Sequence, residues 1–173
     1  MLTNKQRVVI ASAAVGLVAS FAMLYVGTHY ALNNAVGAFS LHVRLNACAQ
    51  ALLIPTVFLL ISIGRLASHR FFTPADIDGN PSHPDTPQAI ELQRVLQNTL
   101  EQTVLAATAY VIWALVAPDA WLLTLPLAAS LFALGRVLFF IGHSKGAVGR
   151  ALGFTLTFYP TVVLLITEAF LVL

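Results

Sequence analysis

Long apolar runs leave this chain very few folds. The first extends from about Val8 to Tyr30 and the second from about Leu45 to Leu66. The third begins near Ile90 and stays apolar from Val104 to Ala117, the fourth covers about Ala120 to Ile141, and the fifth about Val148 to Leu173. A membrane-spanning helix needs roughly 20 mostly apolar residues, and each run is of that order. Within hydrocarbon the backbone must satisfy its own hydrogen bonds, so only helices and closed barrels can span it. Barrel strands would alternate apolar and polar residues, and these runs do not. Composition closes the soluble alternative. The chain is 58% apolar and only 9% charged, against roughly 25% charged in soluble domains, too few charges to cover a surface. The expected fold is all-α, a polytopic membrane helix bundle in contact with the lipid bilayer.

The first run follows Lys5 and Arg7, as a signal peptide would, but it is longer than a signal core and reads as a retained span. Ser12, Gly16 and Ser20 recur along it every four residues, a spacing that permits close helix contact. The connection from Phe71 to Thr86 holds Pro74, Asp76, Asp78, Gly79, Asn80, Pro81, Pro84 and Asp85 and reads as a polar, turn-rich loop of about 71–89. Its Asp76–Asn80 run resembles the start of a calcium loop but lacks that motif's later glycine and closing glutamate. No metal site is expected. Cys48 is the single cysteine, so no intrachain disulfide can form.

Basic residues orient the spans. With a cytoplasmic amino terminus, Lys5, Arg7, Arg65, Arg70, Arg94, Arg136, Lys145 and Arg150 all lie in or beside cytoplasmic regions, and only Arg44 falls on the far side. Pro126 and Pro160 lie inside spans, where kinks are expected. Trp113 and Trp121 flank the far-side turn as an aromatic belt would, and Glu168 is expected to reach far-side water. The net charge of +2 gives no reason to expect nucleic acid.

Charged groups within spans are costly and mark candidate sites. Arg94, Asn98 and Glu101 stand at i, i+4 and i+7, along one helix face over about 10 Å. Arg136 near the end of the fourth span and Arg150 at the start of the fifth lie toward the same side. Together they would form a cationic pocket at the cytoplasmic membrane boundary, suited to a carboxylate-rich polar ligand. The competing reading is an Arg94–Glu101 salt bridge that fixes packing, with Arg136 and Arg150 as headgroup anchors. His143 is either a ligand-binding group that titrates near neutral pH or an interfacial histidine in a turn, and the second reading is favoured.

The segment Arg94 to Glu101 resembles the arginine-x3-asparagine-x2-glutamate signature of the MAPEG family, the membrane-associated proteins in eicosanoid and glutathione metabolism. Arg136, Phe139, Gly142-His143 and Arg150 look like its second signature. The resemblance covers about Leu45 to Leu173. It implies a four-helix bundle over residues 41–173, preceded by an extra amino-terminal transmembrane helix within residues 1–40. It also implies a homotrimer with glutathione as cosubstrate between subunits. Arg94, Asn98, Glu101, Arg136 and His143 would hold glutathione, and Arg150 would stabilise its thiolate. The expected activity is a glutathione-dependent transferase or peroxidase acting on lipophilic small-molecule electrophiles, in a bacterial inner membrane. The departures are His143 where the family has tyrosine, Phe139 where eicosanoid enzymes often carry tyrosine, Gln102 in place of a tyrosine, and Leu96 in place of a polar residue. They favour, as the alternative, a non-catalytic trimeric scaffold or an accessory subunit of a larger membrane complex. A transporter or channel fits poorly, because the charges gather at one face and mark no path across.

Overall fold

A computed structural model describes residues 2–29, 39–79 and 85–173. Five helices account for the apolar runs: α1 (Asn4–His29), α2 (Leu41–Phe72), α3 (Pro87–Val116), α4 (Thr124–Gly142) and α5 (Gly146–Val172). The first three are each long and apolar enough to cross a membrane, as is the helical stretch Asp119–Val172. That last stretch folds back through a short turn at His143–Lys145 and so crosses as two helices, α4 and α5. Tyr30, expected in the first span, and Asn80, Pro81 and Pro84 of the polar loop lie outside the described residues.

Side-chain chemistry sets the helix ends. Thr86 caps α3 by accepting from the Ala89 N–H, and Pro87 takes the first helical position, where its missing N–H costs nothing. Asp76 holds that cap in place. Its carboxylate accepts from the Thr86 hydroxyl (2.6 Å) and backbone N–H (2.8 Å), and its other contact is His69 Nε2 at 2.8 Å. The loop aspartate therefore ties the end of α2 to the start of α3. These donors, Thr86 foremost, hold the Asp76 carboxyl below its ordinary range. A depressed folded-state pKa gives stability that is present above the unfolded value and lost as pH falls through the folded one. Limited proteolysis between α2 and α3 should accordingly accelerate below about pH 4. Asp76→Asn should be cleaved faster than wild type at neutral pH, and with little further change on acidification.

At the opposite end Arg44 makes an ion pair with Asp119 and donates to the Ala114 and Ala117 carbonyls, and Asp119 accepts from the Phe39 N–H. Arg44 thus fastens the start of α2 to the end of α3. The apolar core lies between these two ends, around Tyr110, Trp113, Leu125, Phe132 and Leu164. Trp113 corrects the expected aromatic belt: it is 0% exposed, stacks on Trp121 at 6.1 Å and donates to the Trp121 carbonyl. Its indole N–H finds a backbone partner inside the bundle and so has no need of the headgroup layer. Glu168 corrects another expectation. Only 2% of it is exposed, and neither carboxylate oxygen has a hydrogen-bond partner among the described residues.

Of the prolines, Pro126 falls in the first turn of α4, where no intrahelical bond is lost, so no kink is required there. Pro160 is inside α5, and Pro55 is inside α2, where Thr103 of α3 donates to its carbonyl at 3.3 Å. The small-residue stripe of α1 does pack closely. Ser12, Gly16 and Ser20 are buried, the Thr155 hydroxyl of α5 donates to the Ser12 carbonyl at 2.9 Å, and a Cβ at Gly16 would fall 2.7 Å from Thr155 Cβ. α1 is thereby laid along α5, with its amino-terminal half beside the start of that helix.

Candidate functional site

The site depends on how closely α4 and α5 approach. Glycines stand on both faces: a Cβ at Gly135 would meet the Gly153 carbonyl oxygen at 2.8 Å, and one at Gly142 would collide with the Gly149 carbonyl. Gly146, with φ +75°, reverses the chain between the two helices. The hairpin sets His143 and Arg150 side by side, with Arg150 Nη1 and His143 Nε2 3.3 Å apart.

His143 is not an exposed turn residue. It is 8% exposed, its ring meets Phe139 edge-on at 5.2 Å, and its Nδ1 lies 3.3 Å from Glu91 Oε1 on α3. Arginine has only donors, so His143 Nε2 accepts from Arg150 and the ring proton sits on Nδ1, donating to Glu91. His143 lies in the turn, as expected, and from there bridges α3 and α5. Glu91 was not a sequence candidate. The signal was present, since it stands three residues before Arg94 and prolongs the Arg94–Asn98–Glu101 face by one turn.

Arg94, Asn98, His143 and Arg150 line one cleft of about 350 Å³. Phe139 and Phe154 add apolar wall, and Val9 of α1 closes one side. A second, more open groove of about 360 Å³ shares Arg94 and Asn98 and continues along α3 to Gln97 and Glu101. Glu101 accepts from Gln97 Nε2 at 3.0 Å, and Arg94 and Glu101 form no ion pair among the described residues. The packing salt bridge considered from spacing is thus absent from those residues. Glu101 and Arg94 lie exposed on a helix face at the edge of the bundle.

Arg136 does not join the cleft wall. It is 0% exposed, and it donates to Asn98 Oδ1 (2.9 Å) and to the Thr157 hydroxyl (2.6 Å). Its guanidinium also lies over the Phe139 ring at 4.4 Å and near Phe132 at 5.7 Å. It stands behind Asn98 and directs that side chain, while the amide nitrogen of Asn98 remains available to the cleft.

The bundle of apolar helices with a polar, cationic cleft at one end defines a multi-pass integral membrane protein. A family model described as the MAPEG family matches residues 45–170, which is most of the chain, and the protein belongs to that family. The matched residues run from the first turns of α2 into the end of α5 and leave α1 outside. No curated protein and no solved structure matches the chain.

Proposed function

We propose that the cleft binds glutathione, and that the protein is a glutathione-dependent transferase or peroxidase for lipophilic electrophiles that arrive from the bilayer. The observation that carries this reading is the convergence of Arg94, Asn98, His143 and Arg150 on one cleft. Two cations and an amide suit a ligand with two carboxylates, because guanidinium groups bind carboxylates through paired, charge-assisted hydrogen bonds. Phe139, Phe154 and Val9 offer apolar surface beside them for an electrophile.

Arg150 would stabilise the thiolate. A free thiol has a pKa of about 8.5, a neighbouring cation favours its anion, and the anion is the nucleophile. Arginine cannot act as a base at neutral pH, so its part is electrostatic. The exposed stripe of Gln97 and Glu101 supports a homotrimer in which a neighbouring copy covers the α3 groove and completes the site, since polar groups at bilayer depth need a partner or water. In this reading residues 41–173 are the four-helix unit, α1 is an addition to it, and the protein sits in a bacterial inner membrane. The basic residues gathered at the Arg65, Arg94 and Arg150 end support placing that end, with the amino terminus, in the cytoplasm.

Calorimetry on detergent-purified protein should detect glutathione binding, and Arg150→Ala should raise the apparent pKa of the bound thiol toward about 8.5. Absence of binding at millimolar glutathione would overturn the proposal. A co-purifying protein partner in place of a bare trimer would then favour a scaffold or accessory subunit.

A further inference from the structure

We infer that His143, oriented by Glu91, is the proton acceptor for a thiol bound in the cleft, with Arg150 holding the thiolate that results. This rests on the glutathione reading and adds to it a base, which an arginine alone cannot supply. Three features of the geometry lead there. Arg150 can only donate, so its 3.3 Å contact fixes the Nε2 lone pair of His143 on the cleft side. Glu91, 3.3 Å from Nδ1 on the other edge of the ring, takes the remaining N–H and is placed to stabilise an imidazolium. The edge-on contact with Phe139 and the tight α4–α5 hairpin hold the ring plane. A carboxylate, an imidazole and a polar pocket in line is the arrangement that general-base chemistry requires.

The step is balanced without any further reactant. As the thiol replaces the Arg150–His143 contact, its S–H bond breaks and an Nε2–H bond forms. Sulfur keeps the electron pair and faces both the Arg150 guanidinium and the new imidazolium. The proton stays on His143 until the thioether product forms, when it passes to the leaving group or the adduct. Among the described residues, the charged groups around His143 are Glu91 of α3 and Arg150 of α5, which contact it, and Arg94 of α3, which lines the same cleft; Lys145 in its own turn is exposed. α1 contributes only the uncharged Val9 to the cleft. Glu91 is accordingly a positioning residue, and His143 the group that would touch substrate.

The test is a pH titration of the ultraviolet thiolate absorbance of glutathione bound to full-length protein in detergent. It compares wild type, His143→Asn, His143→Gln and Glu91→Gln. Elution volume and thermal unfolding identify any variant that fails to fold. At saturating glutathione, both His143 variants should show at least about tenfold less thiolate per bound glutathione at a pH one unit below the free thiol's pKa. Glu91→Gln should lie between them and wild type. Calorimetry in buffers of different ionisation enthalpy supplies a readout that packing does not move. Wild type should form thiolate on binding with little proton released to buffer because His143 retains it, whereas in His143→Asn any thiolate formed on binding should be matched by an equal release of protons. Glutathione binding with unchanged thiolate titration in both His143 variants would overturn the proton-acceptor role while leaving the glutathione reading intact. If wild type itself binds no glutathione, the glutathione reading fails and the role falls with it.

Discussion

Replacing Gly153 with valine should leave little folded protein in detergent, and Gly142→Ala should do nearly as much damage. At Gly153 an added Cβ would lie 2.7 Å from both the Gly135 carbonyl oxygen and Phe139 Cα, and would collide with the Phe139 amide nitrogen. At Gly142 it would land on the Gly149 carbonyl, and at Gly149 on the Gly142 carbonyl. At Gly153 and Gly142 every one of these obstacles is backbone, so no rotamer change can relieve it. Overpacking a core costs about 1–3 kcal/mol when side chains can yield, so about 3 kcal/mol or more is expected here. Small residues matter particularly between membrane helices, which have no hydrophobic drive to associate and rely on close contact. Thermal unfolding and monodispersity after extraction would measure the effect. Gly64→Ala is the control: nothing lies within 4 Å of its would-be Cβ, so this variant should unfold at or above the wild-type temperature. Normal unfolding of both Gly153→Val and Gly142→Ala would mean that α4 and α5 are not held this closely. The juxtaposition of His143 and Arg150 would then lose its basis.

That seam also shows where reading the sequence stops. Periodicity within one helix was legible: the five apolar runs became α1–α5, the Ser12–Gly16–Ser20 stripe became the face of α1 on α5, and Arg94, Asn98 and Glu101 fell on one side of α3. How far each helix is rotated toward its neighbours was not legible, because spacing along one helix carries no information about the next. Arg136 looked equivalent to Arg94 and Arg150 in sequence, yet the rotation of α4 turns it wholly inward. The turn position of His143 was legible but its partners were not, since they lie 52 residues before it and seven after. Thr157, a neutral residue in an apolar run, gave no sign that it would receive a buried guanidinium. Arg44 likewise read only as an exception to the basic asymmetry until the structure joined it to Asp119.

Asn98→Leu should destabilise the protein by about 3 kcal/mol, and pairing it with Arg136→Met should restore most of that loss. Arg136 is a buried cation with no carboxylate beside it. Among the described residues its polar partners are the Asn98 oxygen and the Thr157 hydroxyl, its Nε has none, and the faces of Phe139 and Phe132 supply the rest. Hydrogen bonds to a charged group are worth about 1.5–3 kcal/mol each, and a buried charge stripped of a partner costs more than the bond it lost. Removing the cation as well leaves only a neutral threonine to satisfy, and Thr157 already reaches the Phe154 carbonyl at 2.8 Å. The two substitutions should therefore be coupled by about 2 kcal/mol in a double-mutant cycle of thermal or chemical unfolding. Additive losses would show that Arg136 does not depend on Asn98. Asn98→Asp separates the stabilising role from the binding role. It keeps an acceptor for Arg136 and adds the missing countercharge, so it should unfold at or above the wild-type temperature. The same carboxylate borders the cleft, where on the glutathione reading proposed above it opposes an anionic ligand, so glutathione affinity should fall by about tenfold or more. A variant that is more stable yet binds less would place Asn98 at the junction between the buried cation that organises the bundle and the cleft that it borders.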